Sequence, residues 1–270
     1  MFLSIVILSF NSSRHIEKCL SHVFASLESV DKDAEVFVVE NGSSDGSLAI
    51  INKFHAQHAE TLKVIQFEHN TGTTYSRNAA LKQASGDFIL ILDSDAYITA
   101  EAISVLTSFL EQKPKVGMAV PRLLYGSGNY QISCDIFPTL WLKAKRFLFL
   151  KNMEQKGDAL SLVKQPTQVD YAISACWMLS RQCFESVGLL DEKIFYSPED
   201  VDYCLRVWEA GFSITYIPSV SVIHDAQELS RGFKLTKFHF SHLKGLLYLM
   251  YKHKYFWGLS SLYKRLGKDA

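Results

Sequence analysis

Apolar residues along this chain fall in short, unbroken runs separated by longer stretches of mixed polarity. The runs Ser4-Ile5-Val6-Ile7-Leu8 and Phe88-Ile89-Leu90-Ile91-Leu92 are apolar at successive positions, as expected of strands covered on both faces in a parallel sheet. Through the first third the pattern predicts a strand over Leu3 to Phe10, a helix over Ser13 to Ser29, a strand over Glu35 to Val39 and a helix over Ser47 to His58. A strand over Leu62 to Phe67, a helix over Thr74 to Ala84 and a strand over Phe88 to Leu92 follow. Strand and helix in alternation predict an α/β fold with a Rossmann-like, doubly wound, mostly parallel sheet. Farther on the pattern predicts a helix over Glu101 to Leu110, a strand over Pro114 to Tyr125 and a turn at Gly126-Ser127-Gly128. Ile132 to Val169 has no clear period. Beyond it come a strand over Val169 to Leu179, helices over Arg181 to Val187 and Pro198 to Ala210, and short strands over Ser213 to Tyr216 and Val220 to His224.

Ligands in such sheets bind beyond the carboxyl ends of the strands, and those ends are unusually polar here. They read Ser9-Phe10-Asn11, Glu40-Asn41-Gly42-Ser43-Ser44-Asp45-Gly46, His69-Asn70-Thr71-Gly72 and Asp93-Ser94-Asp95. Side chains alternate along an extended segment, so Asp93 and Asp95 can point the same way. Two readings stand for them: hard oxygen ligands for Mg²⁺ or Mn²⁺, or an N-cap pair ahead of a helix near Thr99. Their position after a buried strand, beside three other polar strand ends, favours the metal.

Glu199-Asp200-Val201-Asp202 opens a helix after Pro198, where the macrodipole alone favours acids. A carboxylate so placed could equally act as general base on an alcohol. His224 ends the apolar run from Val220 to Ile223, and a lone histidine there is more often a satisfied rim residue than a ligand. Asn70-Thr71-Gly72 followed by Arg77-Asn78 suits an anionic or base-edge contact, or merely a helix cap. No P-loop and no dinucleotide-binding glycine pattern occurs in the sequence, which disfavours a P-loop kinase or a nicotinamide dehydrogenase.

The chain has 270 residues, 48% hydrophobic, with 28 Lys and Arg against 28 Asp and Glu, enough to bury a core without staples. Its five cysteines are odd in number and irregularly spaced, which predicts reduced thiols and a cytoplasmic protein. The stretch Met1 to Phe10 lacks a basic leader and a cleavage site, so it is read as a strand rather than a signal peptide. Charge is uneven: Arg231, Lys234, Lys237, Lys244, Lys252, Lys254, Lys264, Arg265 and Lys268 face a single acid, Asp269, after residue 230. Aromatic residues from Phe233 to Tyr263 interleave with them. This tail suits an interfacial helix on an anionic bilayer, or packing on the main domain with lysines outward. No nucleic-acid-reading motif accompanies the charge.

Taken together, these ordered motifs resemble the inverting family-2 glycosyltransferases of GT-A fold, and among them the rhamnosyltransferase-like members that build bacterial surface polysaccharides. The resemblance runs from Phe2 to His224 and includes Val187-Gly188-Leu189-Leu190-Asp191-Glu192, Glu199-Asp200-Val201-Asp202-Tyr203-Cys204-Leu205-Arg206 and Val222-Ile223-His224. It implies a catalytic domain over 1–228, with a nucleotide-binding half over 1–100 and an acceptor half over 101–228, and a basic aromatic helical extension over 229–270. It implies that Ser9, Glu40 and Arg77 border the nucleobase and ribose, with Asn11, Asn41, Asn70, Gly72 and Ser94 completing the sugar-nucleotide site. Asp93 and Asp95 would grip the donor through Mg²⁺ or Mn²⁺ with His224 as a further ligand. Asp200 would be the catalytic base, and Trp177, Asp191 and Glu199 would lie near the acceptor.

The partners so implied are a UDP- or dTDP-linked sugar and a glycan or polyprenyl-linked acceptor, with the enzyme peripheral at the inner face of the cytoplasmic membrane. After His224 the chain reads Asp225-Ala226-Gln227-Glu228-Leu229-Ser230-Arg231, where many rhamnosyltransferase-like relatives carry a second histidine or a glycine-rich segment; the donor sugar therefore stays open. The competing readings are a non-catalytic sugar-nucleotide or glycan-binding module and a nucleotidyltransferase. The intact acids oppose the first. Asn11-Ser12-Ser13-Arg14 is not the glycine-rich basic loop the second requires.

Overall fold

The computed structural model describes residues 1–139, 159–226, 237–256 and 258–268. Leu3–Ser9 (β1), Ala34–Asn41 (β2), Leu62–Phe67 (β3) and Phe88–Asp93 (β4) form a parallel block in the order β3-β2-β1-β4. Helices Ile16–Val30 (α1), Ser47–Gln57 (α2) and Thr73–Leu81 (α3) connect them. Successive side chains of a strand leave on opposite faces, and both faces are covered. Ile5, Ile7, Leu90 and Leu92 pack with Ile16, Leu20 and Val23 of α1, whereas Val6, Ile89 and Ile91 pack with Trp177, Leu179 and Tyr203. That double burial is why the strands read as unbroken apolar runs.

After β4 the chain makes a short strand, Ala96–Tyr97 (β5), that the sequence pattern does not mark. Helix Ala100–Gln112 (α4) begins at Thr99, whose hydroxyl accepts from the amide of Ala102 at 3.2 Å. The cap is therefore Thr99 and not the Asp93-Asp95 pair. Strand Val116–Leu124 (β6) follows, then Tyr130–Gln131 (β7), Cys134–Asp135 (β8), a 3₁₀ turn at Ala159–Leu162, Thr167–Gln168 (β9), Tyr171–Ala172 (β10) and Cys176–Ser180 (β11). The single strand expected over Val169 to Leu179 is thus two strands with a break at Ile173 to Ala175. The reverse holds for the last strand, where Ser213–His224 (β12) runs through both expected pieces with a register shift between Ile217 and Ser221.

The full order is β3-β2-β1-β4-β11-β6-β12-β5. The sheet is mostly parallel, as expected, but β11 enters antiparallel between β4 and β6, with Cys176 opposite Leu92 and Met178 opposite Ala119. Helices Arg181–Val187 (α5) and Glu199–Glu209 (α6) lie between β11 and β12 in the chain.

The extension contributes Lys237–Lys252 (α7) and Ser260–Leu266 (α8). Leu246, Leu249, Met250, Tyr255 and Leu262 join the same core as Tyr203, Val207 and Trp208 of α6. The extension therefore packs on the domain, and Lys244, Lys254 and Lys264 face outward as expected, but two lysines do not. Lys252 turns inward to Asp191 and Asp202, each at 2.7 Å, and Lys268 to Asp170 at 2.5 Å. The aromatic positions Phe233 and Trp257, and residues 140–158 of the segment from Ile132 to Val169 whose order the sequence left open, lie outside the described residues.

Candidate active site

At the carboxyl end of β4, Asp93 and Asp95 meet His224, which ends β12. His224 Nε2 lies 3.3 Å from Asp95 Oδ1 and 3.7 Å from Asp93 Oδ2. One donor atom from each of the three residues falls within a 4.8 Å span. The other ring nitrogen, Nδ1, is 2.9 Å from Gln131 Oε1 on β7, so the ring is fixed with Nε2 turned to the carboxylates, the arrangement that orients a ligating histidine. Burial favours the neutral form of Asp93, and Asp95 adds to this; Arg77 and His224 oppose it, and its carboxyl still rises. Burial would raise Asp95 as well, but the hydrogen bond from His224 prevails and lowers it. His224 rises in turn, its carboxylate partners outweighing burial. Two carboxylates and an oriented imidazole form a donor set suited to Mg²⁺ or Mn²⁺.

Asp93 also lines a cleft of about 250 Å³ with Arg77, Ser174, Tyr196, Ser197, Glu199 and Asp200. Arg77, on α3, is only 2% exposed. Its guanidinium pairs closely with Asp93 Oδ1, donates to Ser174 Oγ at 2.9 Å and lies 3.8 Å from Glu199 Oε1. Its Nε is buried with no hydrogen-bond partner. Glu199 is 8% exposed; burial first, and the adjacent Asp200 second, push its carboxyl up to about 8. Asp200 is half-buried in the same wall, with its Oδ1 accepting from the amide of Val201 at 2.8 Å. The Asp93, Asp95 and His224 cluster thus meets through Asp93 a cleft that Glu199 and Asp200 also line.

The other strand-end residues build the loops around it. Ser9 Oγ and Ser12 Oγ are 2.7 Å apart. Asn11 sits at φ 49°, its Oδ1 accepting from the amide of Ser44 at 2.9 Å. Glu40 is buried and its carboxylate accepts from the amides of Gly42 and Ser43 at 3.3 and 2.7 Å. Asn41 donates to Asn70 Oδ1 at 3.0 Å and accepts from the amide of Thr71 at 2.9 Å, tying the ends of β2 and β3 together. Gly72, at φ 88°, is pressed against Phe195, whose carbonyl oxygen a Cβ would meet at 2.5 Å. Ser94, half-buried, lies between the two metal-site carboxylates in the chain.

One expectation does not hold, and a second residue has partners the sequence did not indicate. Trp177 is fully buried, stacked on Tyr203 with ring centroids 5.6 Å apart and donating from Nε1 to the carbonyl of Ala172 at 3.2 Å. It belongs to the core, because β11 lies inside the sheet, and it cannot touch an acceptor. Asp191 is engaged by the extension, accepting from Tyr248 at 2.8 Å and Lys252 at 2.7 Å. Its carboxyl is lowered because these bonds outweigh burial. Sequence reasoning missed Ser174, in the break between β10 and β11, and Gln131, which orients His224. Neither carried a signal beyond standing in a segment without a period.

The chain belongs to glycosyl transferase family 2, whose model matches residues 4–188. TarS of Staphylococcus aureus (strain Mu50), a poly(ribitol-phosphate) beta-N-acetylglucosaminyltransferase, is 35% identical over 113 residues, 42% of this chain and 19% of its own. The N-acetylglucosaminyl-diphospho-decaprenol L-rhamnosyltransferase of Mycobacterium tuberculosis (strain CDC 1551 / Oshkosh) is 23% identical over 239 residues, 82% of this chain and 75% of its own. Thus the aligned part is about a fifth of TarS but most of the rhamnosyltransferase. The structure of the mannosyltransferase PcManGT from Pyrobaculum calidifontis with GDP-Man and Mn²⁺ matches with a TM-score of 0.63 at 18% identity, covering 93% of this chain and 63% of that one. The structure of residues 1–349 of TarS with UDP-GlcNAc matches at 0.59 and 19% identity, covering 93% and 66%. The fold is GT-A.

Proposed function

We propose that this protein is a metal-dependent, inverting glycosyltransferase. It moves a sugar from a UDP- or dTDP-linked donor to a hydroxyl of a glycan or lipid-linked glycan during bacterial surface polysaccharide synthesis. The observation that carries this reading is the convergence of Asp93, Asp95 and His224 within 4.8 Å at one side of a cleft that Asp200 also lines. Asp93, Asp95 and His224 would hold Mg²⁺ or Mn²⁺, which supplies charge neutralisation to a departing nucleoside diphosphate. Ser9, Asn11, Glu40, Asn41, Asn70 and Gly72 shape the strand-end loops where the nucleoside would lie, and Arg77 adds fixed positive charge beside Asp93.

Asp200 takes the proton from the acceptor hydroxyl as that oxygen attacks the anomeric carbon and the bond to the diphosphate breaks. A single displacement inverts configuration and needs no covalent enzyme intermediate. Glu199, its carboxyl raised to about 8 by burial first and Asp200 second, favours its protonated form at neutral pH, and Asp200, half-buried beside it, is the base. Exposed Leu243, Leu247 and Tyr251, at four-residue spacing on α7 with exposed Lys244 and Lys254 nearby, support peripheral contact with an anionic membrane bearing the acceptor. No helix among the described residues is long and apolar enough to cross one.

The test is a thermal-shift and turnover panel of UDP-GlcNAc, other UDP-sugars and dTDP-rhamnose, with and without Mn²⁺, on wild type, Asp95→Ala and Asp200→Asn. Donor should stabilise the wild type only with Mn²⁺, and Asp95→Ala should lose that response. Asp200→Asn should keep the response while transfer falls about 10²–10⁴-fold. Near-normal transfer by Asp200→Asn would overturn its assignment as base. No response to any nucleotide would favour the non-catalytic glycan-binding module.

A further inference from the structure

The segment from Asp191 to Asp202 carries Tyr196, Ser197, Glu199 and Asp200 into the cleft, and the C-terminal extension grips it at three places. At its start, Asp191 Oδ2 accepts from Tyr248 and Lys252 of α7, at 2.8 and 2.7 Å. At its end, Asp202, 1% exposed, accepts from the same Lys252 at 2.7 Å and lies 2.9 Å from His253 Nε2. His253 Nδ1 reaches on to Glu209 Oε1 at 3.0 Å, near the far end of α6. Between these anchors Gly245 presses α7 against the backbone just ahead of the two cleft acids. A Cβ there would run into the Ser197 carbonyl oxygen and come within 2.9 Å of Pro198 Cδ.

Lys252 therefore bridges the two ends of the segment, and α7 holds its middle. We infer that the C-terminal extension is a positioning element of the transfer reaction: Tyr248, Lys252 and His253, with Gly245 as the seat, set the place of Asp200 in the cleft. None of these side chains lines the cleft, so each acts through the segment it holds. A buried network of this kind has two outcomes when broken. It fails to fix the segment, or it was only ballast for the fold, and the two are separable because a misplaced base costs catalysis steeply, while Asp93, Asp95 and His224 stand at the ends of β4 and β12 and Phe195 has its own tie to the Gly72-Thr73 loop. The inference rests on the glycosyltransferase reading for its kinetic arm only.

The experiment compares wild type, Gly245→Ala, Lys252→Met, Lys252→Arg and Lys268→Met, using UDP-GlcNAc and dTDP-rhamnose with Mn²⁺ and reading nucleotide release with water as acceptor. Gly245→Ala favours the isolated helix yet wedges it from the Ser197 backbone. It and Lys252→Met are expected to lower kcat ten- to a hundredfold with donor KM within twofold of wild type, and Lys252→Arg is expected to restore much of the rate. Lys268→Met breaks a link of the same extension to Asp170 and is expected to lower the Tm with kcat unchanged. In parallel, amide exchange over residues 202–206 is expected to quicken in Lys252→Met and not in Lys268→Met. Unchanged kcat in Gly245→Ala and Lys252→Met, or equal losses in kcat and donor affinity, would overturn the inference. If wild type releases neither nucleotide, the choice of these two donors fails separately. The exchange arm then decides whether the segment is held, and unchanged exchange in Lys252→Met overturns it.

Discussion

Replacing Arg77 by methionine keeps the length of the side chain and removes the only cationic group placed against both walls of the cleft among the described residues. The guanidinium is 2% exposed and pairs with Asp93, whose side chain keeps 31% exposure, and it lies 3.8 Å from Glu199. Removing one member of a buried pair costs about 3–5 kcal/mol, because the other charge stays behind uncompensated. Partial exposure of Asp93 and the proton held by Glu199 place Arg77→Met at the lower end, about 3 kcal/mol. For a chain of this size that is a fall of roughly 6–12 °C in Tm. Thermal and guanidinium unfolding at pH 7 would measure it, together with Asp93→Asn and the double variant. The cycle should return a coupling of about 1–3 kcal/mol, since removing both charges relieves the stranded carboxylate. Mn²⁺ should narrow the loss in Arg77→Met by supplying charge to the same carboxylates. A destabilisation below about 1 kcal/mol, or additive single and double variants, would refute the assignment of Arg77 as counter-charge to the metal-site acids.

Trp177→Ala should cost about 3–5 kcal/mol in unfolding experiments while a folded Trp177→Phe keeps its acceptor KM; a selective rise in acceptor KM would return Trp177 to the acceptor site. The contact between α6 and the extension carries a pH dependence of definite sign. His253 faces Asp202, Glu209 and the Lys252 beside it; burial would lower it, but the two acids prevail and raise it above 6.5. Its stabilising contribution is therefore complete below pH 6.5 and lost as pH rises through the raised value. Asp202, drawn down to about 2 by His253, Arg206 and Lys252 against the effect of burial, contributes above its ordinary 3.8 and loses that only as pH falls toward 2. The Tm gap between wild type and His253→Gln should thus be widest between pH 4 and 6.5 and shrink toward pH 9; a gap that widens with pH would contradict this.

The alternation of strand and helix over the first hundred residues was legible because its strands are buried on both sides and its helices are short and regular. A local pattern then carries the whole instruction. Asp93, Asp95 and Asp200 were legible for a related reason: acids that follow a buried strand or open a helix stand out against an apolar background. His224 could be placed only by resemblance, since its partners lie far away in sequence. Trp177 and Asp191 show the opposite limit. Both were placed near the acceptor by resemblance, yet one is turned into the core by its strand and the other is engaged by a tail lysine. The antiparallel entry of β11 and the break at Ser174 depend on pairing with β4 and β6, which no local period records.

That entry of β11 also has a bearing on synthesis. A nascent chain that has emerged only through β5 already possesses both aspartates, but the edge of β4 that later pairs with Cys176 to Ser180 is bare, and a bare apolar edge recruits other strands. The first four strands can assemble early from near neighbours, yet they stay adhesive until residues nearly twice as far along the chain arrive to close the gap. Premature termination between β6 and β11 would then give a fragment prone to aggregation and lacking His224, so the same strand that completes the sheet separates finished molecules from failed ones.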